Sequence, residues 1–222
     1  TQARTTGSDV IKPGELIDVV EEKPLLLFDR RCFNFLLSEA WEHITEDVEH
    51  KIPKSLLLRG HKNHARLDAS IGRLMSCRIK VRLKRDDGFF YTKSIPLLEE
   101  VDEPVKKTGI VYYKFPRALR SLISDSTVFS RLQKDVMLSF SSKYSLTCFE
   151  LVSKRINLSH KWNETFSVEE LKDLLGVPKN KLKLYKNFKA HALEIAKAEI
   201  NYLAEFKVNF IEKKVGRKVT HI

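Results

Sequence analysis

Four polar side chains between residues 183 and 189 have the chemistry needed to read the edges of nucleic-acid bases. They are Lys183, Lys186, Asn187 and Lys189. A lysine ammonium donates hydrogen bonds to O6 and N7 of guanine, and an asparagine amide pairs with N6 and N7 of adenine. If the segment is helical, these residues share its polar face. We therefore interpret them as base-contacting residues; the alternative is an ordinary solvated face of a surface helix.

A second basic group lies near the end of the sequence. Lys213, Lys214, Arg217 and Lys218 surround Gly216, a residue typical of tight turns. Cations at the tip of a hairpin are well placed to reach phosphates or the minor groove. We therefore predict that this turn contacts the nucleic-acid backbone rather than base edges in the major groove.

Two helices must position the first group. Ser167 and Glu170 form a capping-box pattern, in which each side chain satisfies the other residue's free backbone amide. Gly176 and Pro178 end this helix within about ten residues. A second helix is predicted over about 181–203. Two helices joined by a tight turn, the second one basic, are typical of proteins that place a helix in the DNA major groove.

The predicted second helix has an apolar face and is followed by a hairpin. The apolar positions recur at close to 3.6 residues and are Leu184, Phe188, Ala192, Ile195 and Ile200. Phe206–Phe210 alternates apolar and polar residues and predicts a strand, the basic turn covers 213–218, and 219–222 is the returning strand. A basic hairpin beside such a helix is typical of a winged helix.

The N-terminal half shows the same order of elements. Helices are predicted over about 29–44, with Asp29 as the N-cap, over about 52–58, ending at Gly60, and over about 63–76. Residues 77–84 alternate strictly between apolar and basic and predict a strand, which returns over 89–95 after a turn at 86–88. A further strand is predicted over 109–115. The helix predicted over 141–156 is assigned to the second domain, as its opening helix.

Four basic residues of this half are candidate DNA contacts. Arg66 and Arg73 lie on the outward face of the third helix, and Arg78 and Lys80 lie on one face of the alternating strand. A charged, solvent-exposed sheet face explains the two strand residues about equally well.

The order helix, helix, basic-sided hairpin thus occurs twice, at about 52–95 and at 167–222. We predict an α+β protein with two tandem winged-helix domains. The predicted organisation is a flexible tail over residues 1–13, an N-terminal domain over 14–125 and a C-terminal domain over 126–222. At 222 residues the chain is long enough for two domains with separate cores.

The charge supports a polyanionic partner. The chain has a formal charge of +11 and a pI of about 9.5. Residues 141–222 carry 16 lysines and arginines against 9 acidic residues, whereas the first 140 residues carry 24 against 20. The C-terminal half is therefore the stronger candidate for DNA binding, although charge alone fits a merely soluble surface equally well.

The sequence lacks the motifs of a catalytic, metal or cofactor site. His61 and His64 are spaced as a ligand pair, but no third ligand follows them. There is no glycine-rich phosphate loop. Tyr144 and Tyr185 lack the His-hydrophobic-His metal motif that accompanies the nucleophile of nicking enzymes. We expect a protein that is not an enzyme and uses no metal or cofactor.

The cysteine pattern and hydropathy favour a cytoplasmic protein. Cys32, Cys77 and Cys148 are scattered singly, which is typical of buried thiols in a reducing compartment. No apolar run approaches the length of a membrane span, and no signal-peptide pattern is present. We therefore expect no membrane partner.

Six segments together resemble the replication initiator (Rep) proteins of iteron-containing plasmids. They occur in family order along nearly the whole chain and are most distinctive after residue 141. The segments are Lys12–Ile17, Asp29–Asn34 followed by Leu36 and Leu37, Ser142–Leu146, Phe166–Leu171, Leu175–Gly176 and Lys214–Ile222.

The resemblance implies two winged-helix domains that bind repeated double-stranded origin sequences called iterons. It implies monomers that bind iterons to start replication, with the C-terminal domain as the main binding domain. It also implies homodimers, formed through the N-terminal domain, that repress the initiator's own gene. Contacts with the host initiator and the replicative helicase are further implied.

A two-domain transcriptional regulator that binds an operator would use the same groove contacts. The two readings differ in the symmetry of the DNA site. Two unlike domains on one chain favour a direct repeat bound by a monomer, whereas an operator of a dimeric regulator is palindromic.

Overall fold

The computed structural model describes residues 7–59, 63–84, 87–102, 109–158 and 163–222. The strands are β1 (Asp9–Pro13), β2 (Val20–Glu21), β3 (His50–Pro53), β4 (Arg78–Lys84), β5 (Phe90–Pro96), β6 (Glu100–Asp102), β7 (Ile110–Lys114), β8 (Phe129–Gln133), β9 (Lys213–Val215) and β10 (Lys218–His221). The α-helices are α1 (Leu27–Ala40), α2 (Lys54–Leu58), α3 (His64–Ser76), α4 (Arg117–Ser124), α5 (Lys134–Ser139), α6 (Lys143–Asn157), α7 (Val168–Leu174), α8 (Tyr185–Phe188) and α9 (Glu194–Leu203).

The first strand corrects the prediction of a flexible tail. β1 pairs antiparallel with β8, and Val10 and Ile11 are fully buried. The prediction is therefore wrong for residues 9–13, whereas residues 1–6 lie outside the described part of the chain. The pairing also joins strands from both sides of the predicted domain division at residue 125.

The hairpin of the N-terminal half forms where the alternating pattern predicts it. β4 pairs with β5 along seven residues, and β2 adds a third strand on the other side of β4. Ile79 and Val81 are buried while Arg78 and Lys80 are exposed, because successive side chains of a strand point to opposite faces. The turn predicted at 86–88 falls partly outside the described residues.

In this half, α3 starts as predicted, whereas the helix predicted over 52–58 does not form as such. α3 begins after Asn63, whose side-chain oxygen accepts a hydrogen bond from Arg66 N at 2.9 Å. The helix predicted over 52–58 is instead β3 followed by α2, because Pro53 favours the start of a helix and its ring is tolerated at the end of a strand. The predicted end of α2, Gly60, lies outside the described residues.

Asp29 caps α1 from inside the helix rather than from its N-cap position. Leu26 is the N-cap, and Asp29 Oδ2 accepts a hydrogen bond from Leu26 N at 2.8 Å. The predicted apolar stripe is buried, including Phe33, Leu37 and Trp41. α1 therefore forms the centre of the N-terminal core.

A buried polar cluster ties three elements together. Lys12 Nζ of β1 donates to Glu150 Oε2 of α6 at 2.8 Å and to Asn34 Oδ1 of α1 at 3.2 Å. Asn34 Nδ2 donates to Glu150 Oε1 at 2.7 Å. α6 also packs against β8 and α9, so this helix links the N-terminal core to the C-terminal elements.

Helix α7 forms where the capping-box pattern predicts it, and the described residues record one of the two predicted capping bonds. Ser167 Oγ accepts a hydrogen bond from Glu170 N at 3.1 Å at the start of α7. Gly176 follows α7 with φ 65°, a left-handed conformation that favours glycine, and ends the helix. Phe166 and Ile222 then exchange two backbone hydrogen bonds of 2.9 Å, which brings the end of the chain beside α7.

The long helix predicted over 181–203 covers 185–203, and we call it the basic helix. It consists of α8, a π-helical turn over Lys189–Leu193 and α9. Leu184 and Ile195, which the repeat placed in the core, are 69% and 37% exposed. The helix starts at Tyr185, so Leu184 is its N-cap and lies outside the buried face.

The π turn keeps one row of side chains buried. Phe188, Ala192, Ala196 and Ile200 are four residues apart and all fully buried. In an ideal α-helix such a row drifts around the axis by about 40° per step. The wider π turn takes more residues per turn and cancels part of that drift.

No strand forms over Phe206–Phe210, contrary to the prediction. The alternation is nevertheless real, because Phe206, Val208 and Phe210 are half-buried and Lys207 and Asn209 are exposed. The segment runs beside the basic helix, whose backbone is already hydrogen-bonded. The hairpin consists of β9 and β10 alone.

Candidate nucleic-acid interface

The first turns of the basic helix expose a polar face. Lys186 and Asn187 are exposed on this face, and Asn187 N donates to the carbonyl of the N-cap residue Leu184 at 3.0 Å. Lys183 is also exposed, but it lies before the start of the helix rather than on it, contrary to the prediction. The buried face of the same turns is anchored by Phe188. The helix is therefore fixed in rotation, with its lysines and asparagine directed away from the core.

Glu212 connects this helix to the hairpin. Its Oε1 atom lies 2.7 Å from Lys189 Nζ and accepts a hydrogen bond from Tyr185 OH at 3.0 Å. Lys214 Nζ of β9 lies 3.8 Å from Glu212 Oε2. One carboxylate therefore holds two residues of the basic helix and one residue of the hairpin in a single cluster.

The ionisable groups of this cluster shift one another's pKa values. The Lys189 ammonium and the Tyr185 hydroxyl hold the pKa of Glu212 below its usual value. In return, the Glu212 carboxylate raises the pKa of Lys189. Burial, followed by Glu212, raises the pKa of Tyr185 to about 12. At neutral pH the cluster thus contains a carboxylate, an ammonium and a neutral phenol.

Side chains of the basic helix also hold the segment that precedes Glu212. Asn201 Oδ1 accepts a hydrogen bond from Val208 N at 2.7 Å, and Asn201 Nδ2 donates to Val208 O at 3.1 Å. Lys197 Nζ donates to Asn209 Oδ1 at 2.7 Å. These bonds replace the strand pairing predicted for this segment and set the position of the hairpin.

The hairpin turns at Gly216 and Arg217. Gly216 has φ 59°, which a glycine adopts without strain. Arg217 and Lys218 are exposed at this turn, and Lys213 Nζ donates to Thr165 Oγ1 at 3.0 Å. Together with Lys214, these are the four residues predicted for the basic turn, and the structure places all of them on one short hairpin.

In the N-terminal half, the two arginines of α3 differ in their surroundings. Arg73 forms two hydrogen bonds of 2.8 Å to the fully buried carboxylate of Asp29. The Arg66 guanidinium lies 4.5 Å from the centroid of the Phe28 ring on an exposed surface. Arg73 therefore holds α3 against α1, whereas Arg66 remains accessible.

The two strand residues lie on one exposed face. Arg78 Nε donates to Ser94 Oγ at 2.9 Å, and Ser94 Oγ donates to Glu22 Oε1 at 2.8 Å. Lys80 follows two residues later on the same face of β4. This basic face lies on the β2–β4–β5 sheet, whereas the C-terminal cluster is built from the basic helix and the β9–β10 hairpin.

A junction between β2, α1, α6 and α7 fixes the two halves relative to each other. Lys143 Nζ donates to Gly176 O at 2.7 Å and to Leu25 O at 3.3 Å. Burial lowers the pKa of Lys143 to about 8. A side chain at Gly176 would place a Cβ 2.5 Å from Arg30, which itself pairs with Glu21 at 2.9 Å.

The prediction from sequence did not include two features of this surface. Glu212 is an acidic residue in a basic segment, and its isolation among lysines was the available signal. Leu184 was assigned to the core, and because leucine is a poor N-cap residue no local signal marked it as the residue that precedes the helix. Both lie beside the side chains predicted to contact DNA.

The described residues contain no group of three or more His, Cys, Asp or Glu side chains placed to hold a metal ion. His61 lies outside the described residues, so the H-x-x-H pair is not described as a unit. In the same part of the chain, no helix is both long and apolar enough to cross a membrane.

Two family models match the chain. A model described as "Initiator Replication protein, WH1" matches residues 10–153, and one described as "Initiator Rep protein, WH2" matches residues 167–222. The first match extends past the predicted division at residue 125. A search of curated proteins finds no match.

The predicted α+β fold with two tandem winged-helix domains is confirmed, as is the predicted resemblance. The chain therefore belongs to the initiator Rep protein family of plasmid replication, whose members are DNA-binding proteins that start replication.

Proposed function

We propose that this chain starts plasmid replication by binding repeated origin sequences, the iterons, as a monomer. The observation that carries this proposal is the Glu212 cluster, which holds the exposed face of the basic helix and the basic hairpin together. A winged helix that enters the major groove needs this arrangement, because the helix reads bases while the hairpin contacts the adjacent backbone.

The residues at the start of the basic helix have separate roles in this proposal. Lys183, Lys186 and Asn187 donate hydrogen bonds to base edges, and the exposed side chain of Leu184 packs against a thymine methyl group. Lys189 is held by Glu212 and contributes mainly through its charge and the position it gives the hairpin.

The hairpin and the N-terminal surface supply contacts to phosphates. Lys213, Lys214, Arg217 and Lys218 do so in the C-terminal domain. Arg66, Arg78 and Lys80 do so in the N-terminal domain, and Arg73 supports them by holding α3 in place. Two winged helices on one chain reach successive major grooves about 34 Å apart without a second subunit.

The further parts of the proposal rest on the family. We propose that homodimers formed through the N-terminal domain repress the initiator's own gene. Contacts with the host initiator and the replicative helicase follow DNA binding. The chain acts in the cytoplasm, without enzymatic activity of its own and without a metal or cofactor.

Analytical ultracentrifugation tests the monomer proposal. The probe is a duplex with one direct repeat from the origin of the replicon that encodes the chain, and the control is an inverted repeat of the same sequence. We expect one chain per direct repeat and a footprint of about two helical turns. Complexes that contain two chains and form on the inverted repeat alone would instead identify an operator-binding transcriptional regulator.

Asn187→Ala is expected to weaken binding by about 1–3 kcal/mol at one base position and to relax the preference there. The amide of Asn187 is exposed at the start of the basic helix, where it reaches a base edge. The measurement is a titration against a set of duplexes, each with one base pair of the repeat changed.

Arg217→Ala is the matched control for Asn187→Ala. An arginine that contacts phosphate lacks base selectivity, so this variant should weaken binding to all duplexes alike and lower the salt slope by about 1. A uniform loss from Asn187→Ala across every duplex would assign Asn187 to the backbone instead; because the amide is uncharged, the salt slope should stay unchanged in either case.

A further inference from the structure

The tip of the β4–β5 hairpin displays two neighbouring aromatic side chains. Phe89 is 69% exposed and Phe90 is 59% exposed. Single exposed apolar residues are common on soluble proteins. A patch of neighbouring large apolar side chains is instead typical of an interaction site. Neither residue belongs to the set predicted from sequence to contact DNA.

Asp87 holds the described part of this tip, residues 87–91, in a defined conformation. Its Oδ1 atom accepts a hydrogen bond from Phe89 N at 2.9 Å, and its Oδ2 atom accepts one from Tyr91 OH at 2.7 Å. Gly88 has φ 82°, which permits the turn. The Phe89 ring is therefore presented to solvent from a fixed backbone rather than folded onto the sheet.

The aromatic tip ends a basic face of the sheet. The register pairs Lys80 with Ser94 and Arg82 with Thr92, and Phe90 lies two residues before Thr92 on the same face. The Arg82 guanidinium covers the Phe90 ring, with its central carbon 4.4 Å from the ring centroid. A row of cations thus leads from Arg78 to the tip.

We propose that Phe89 is a wedge that enters the minor groove of bound DNA and separates two stacked base pairs. Arg78, Lys80 and Arg82 neutralise the phosphates beside the wedge. Apolar wedges at the ends of basic elements kink duplex DNA by about 20–90°. This inference rests on the proposed function, because it takes double-stranded repeat DNA as the ligand.

The charge of the surface favours DNA over a second copy of the chain. Two copies of the same hairpin would bring the cations of one β4 strand close to those of the other, and like charges facing each other oppose association. A phosphate backbone is complementary to the same row. Partial unstacking at the wedge also suits an initiator, because strand separation begins with unstacked base pairs.

The experiment measures DNA bending by the full chain. A duplex with one direct repeat carries donor and acceptor dyes at its two ends, and 2-aminopurine replaces single adenines along the repeat. Phe89→Ala is expected to lose most of the bend and the fluorescence rise of 2-aminopurine at one step, with an unchanged salt slope. Phe89→Leu keeps an apolar wedge and should keep both signals.

Tyr202→Ala is the matched control. Tyr202 is an aromatic residue that is 87% exposed near the end of the basic helix and belongs to a different element from the β4–β5 hairpin, so its loss should change neither signal. Bending by Phe89→Ala equal to that of the unchanged protein would overturn the wedge. Loss of self-association with an unchanged bend would also overturn it, in favour of a contact between copies. Absence of repeat binding by the unchanged protein would count against the proposed function itself.

Discussion

Phe188→Ala is expected to lower the free energy of unfolding of the C-terminal domain by about 3–5 kcal/mol. The Phe188 ring is fully buried, and Lys172 Nζ lies 5.7 Å from its centroid. Truncation removes the apolar surface of the ring and leaves a cavity between α7 and the basic helix that close-packed neighbours fill only in part. Urea denaturation followed by circular dichroism measures the loss.

Tyr202→Ala provides the comparison for Phe188→Ala. It removes an aromatic ring from the same helix at a position that is 87% exposed, so the change should stay within about 0.5 kcal/mol. A Phe188→Ala protein with unchanged stability and abolished DNA binding would show that the ring faces the DNA. The orientation of the basic helix would then be wrong, together with the assignment of Lys186 and Asn187.

Glu150→Ala is expected to lower the free energy of unfolding by about 3–5 kcal/mol. The side chains of Glu150 and Lys12 are only 3% and 7% exposed, and their charged atoms are 2.8 Å apart. Removal of the carboxylate leaves a lysine ammonium in the core whose one remaining partner among the described residues is the Asn34 amide oxygen. An unpaired buried charge costs more than the pair contributes.

The double variant Lys12→Met/Glu150→Leu separates these effects. It removes both charges and keeps an apolar volume, so we expect it to recover most of the stability lost by Glu150→Ala. Glu169→Ala is the surface control, because Glu169 also pairs with a lysine but is 81% exposed, and the change should be below about 1 kcal/mol. If the double variant were as unstable as Glu150→Ala, the hydrogen bonds of Asn34 rather than the buried charge would explain the loss.

The elements that the sequence predicted well are those encoded by neighbouring residues. The start of α3 depends on Asn63, and the start of α7 depends on Ser167. Strict alternation over residues 78–84 specifies β4, since it has a single register that buries Ile79 and Val81. Each of these signals acts within a few residues, so a single sequence contains it in full.

The candidate site was predictable in composition but not in arrangement. The lysines and Asn187 near the start of the basic helix are exposed as predicted. Arg73 also matched the pattern of an outward basic residue, but it forms an ion pair with Asp29, 44 positions earlier in the chain. The pattern of one helix contains no information about the buried carboxylate of another.

Local patterns also failed where the partner of a segment was not a strand. Phe206–Phe210 has the alternation of a strand, yet its neighbour is the basic helix, whose backbone groups already bond to each other. Asn201 therefore supplies the hydrogen bonds that a second strand would have made. Likewise, the apolar repeat placed Leu184 in the core because the repeat does not show at which residue the helix starts.

The sequence by itself determined the two winged-helix domains, the excess of cations in the C-terminal half and the exposure of the lysines and Asn187 near the start of the basic helix. These properties follow from local spacing and composition. Only the tertiary structure decided that β1 belongs to the N-terminal core and that Glu212 joins the hairpin to the basic helix. It also decided that Lys143 joins the two halves by bonding to both Leu25 O and Gly176 O. These contacts join residues far apart in sequence, and their stability comes from burial and charge pairing that exist only once the chain has folded.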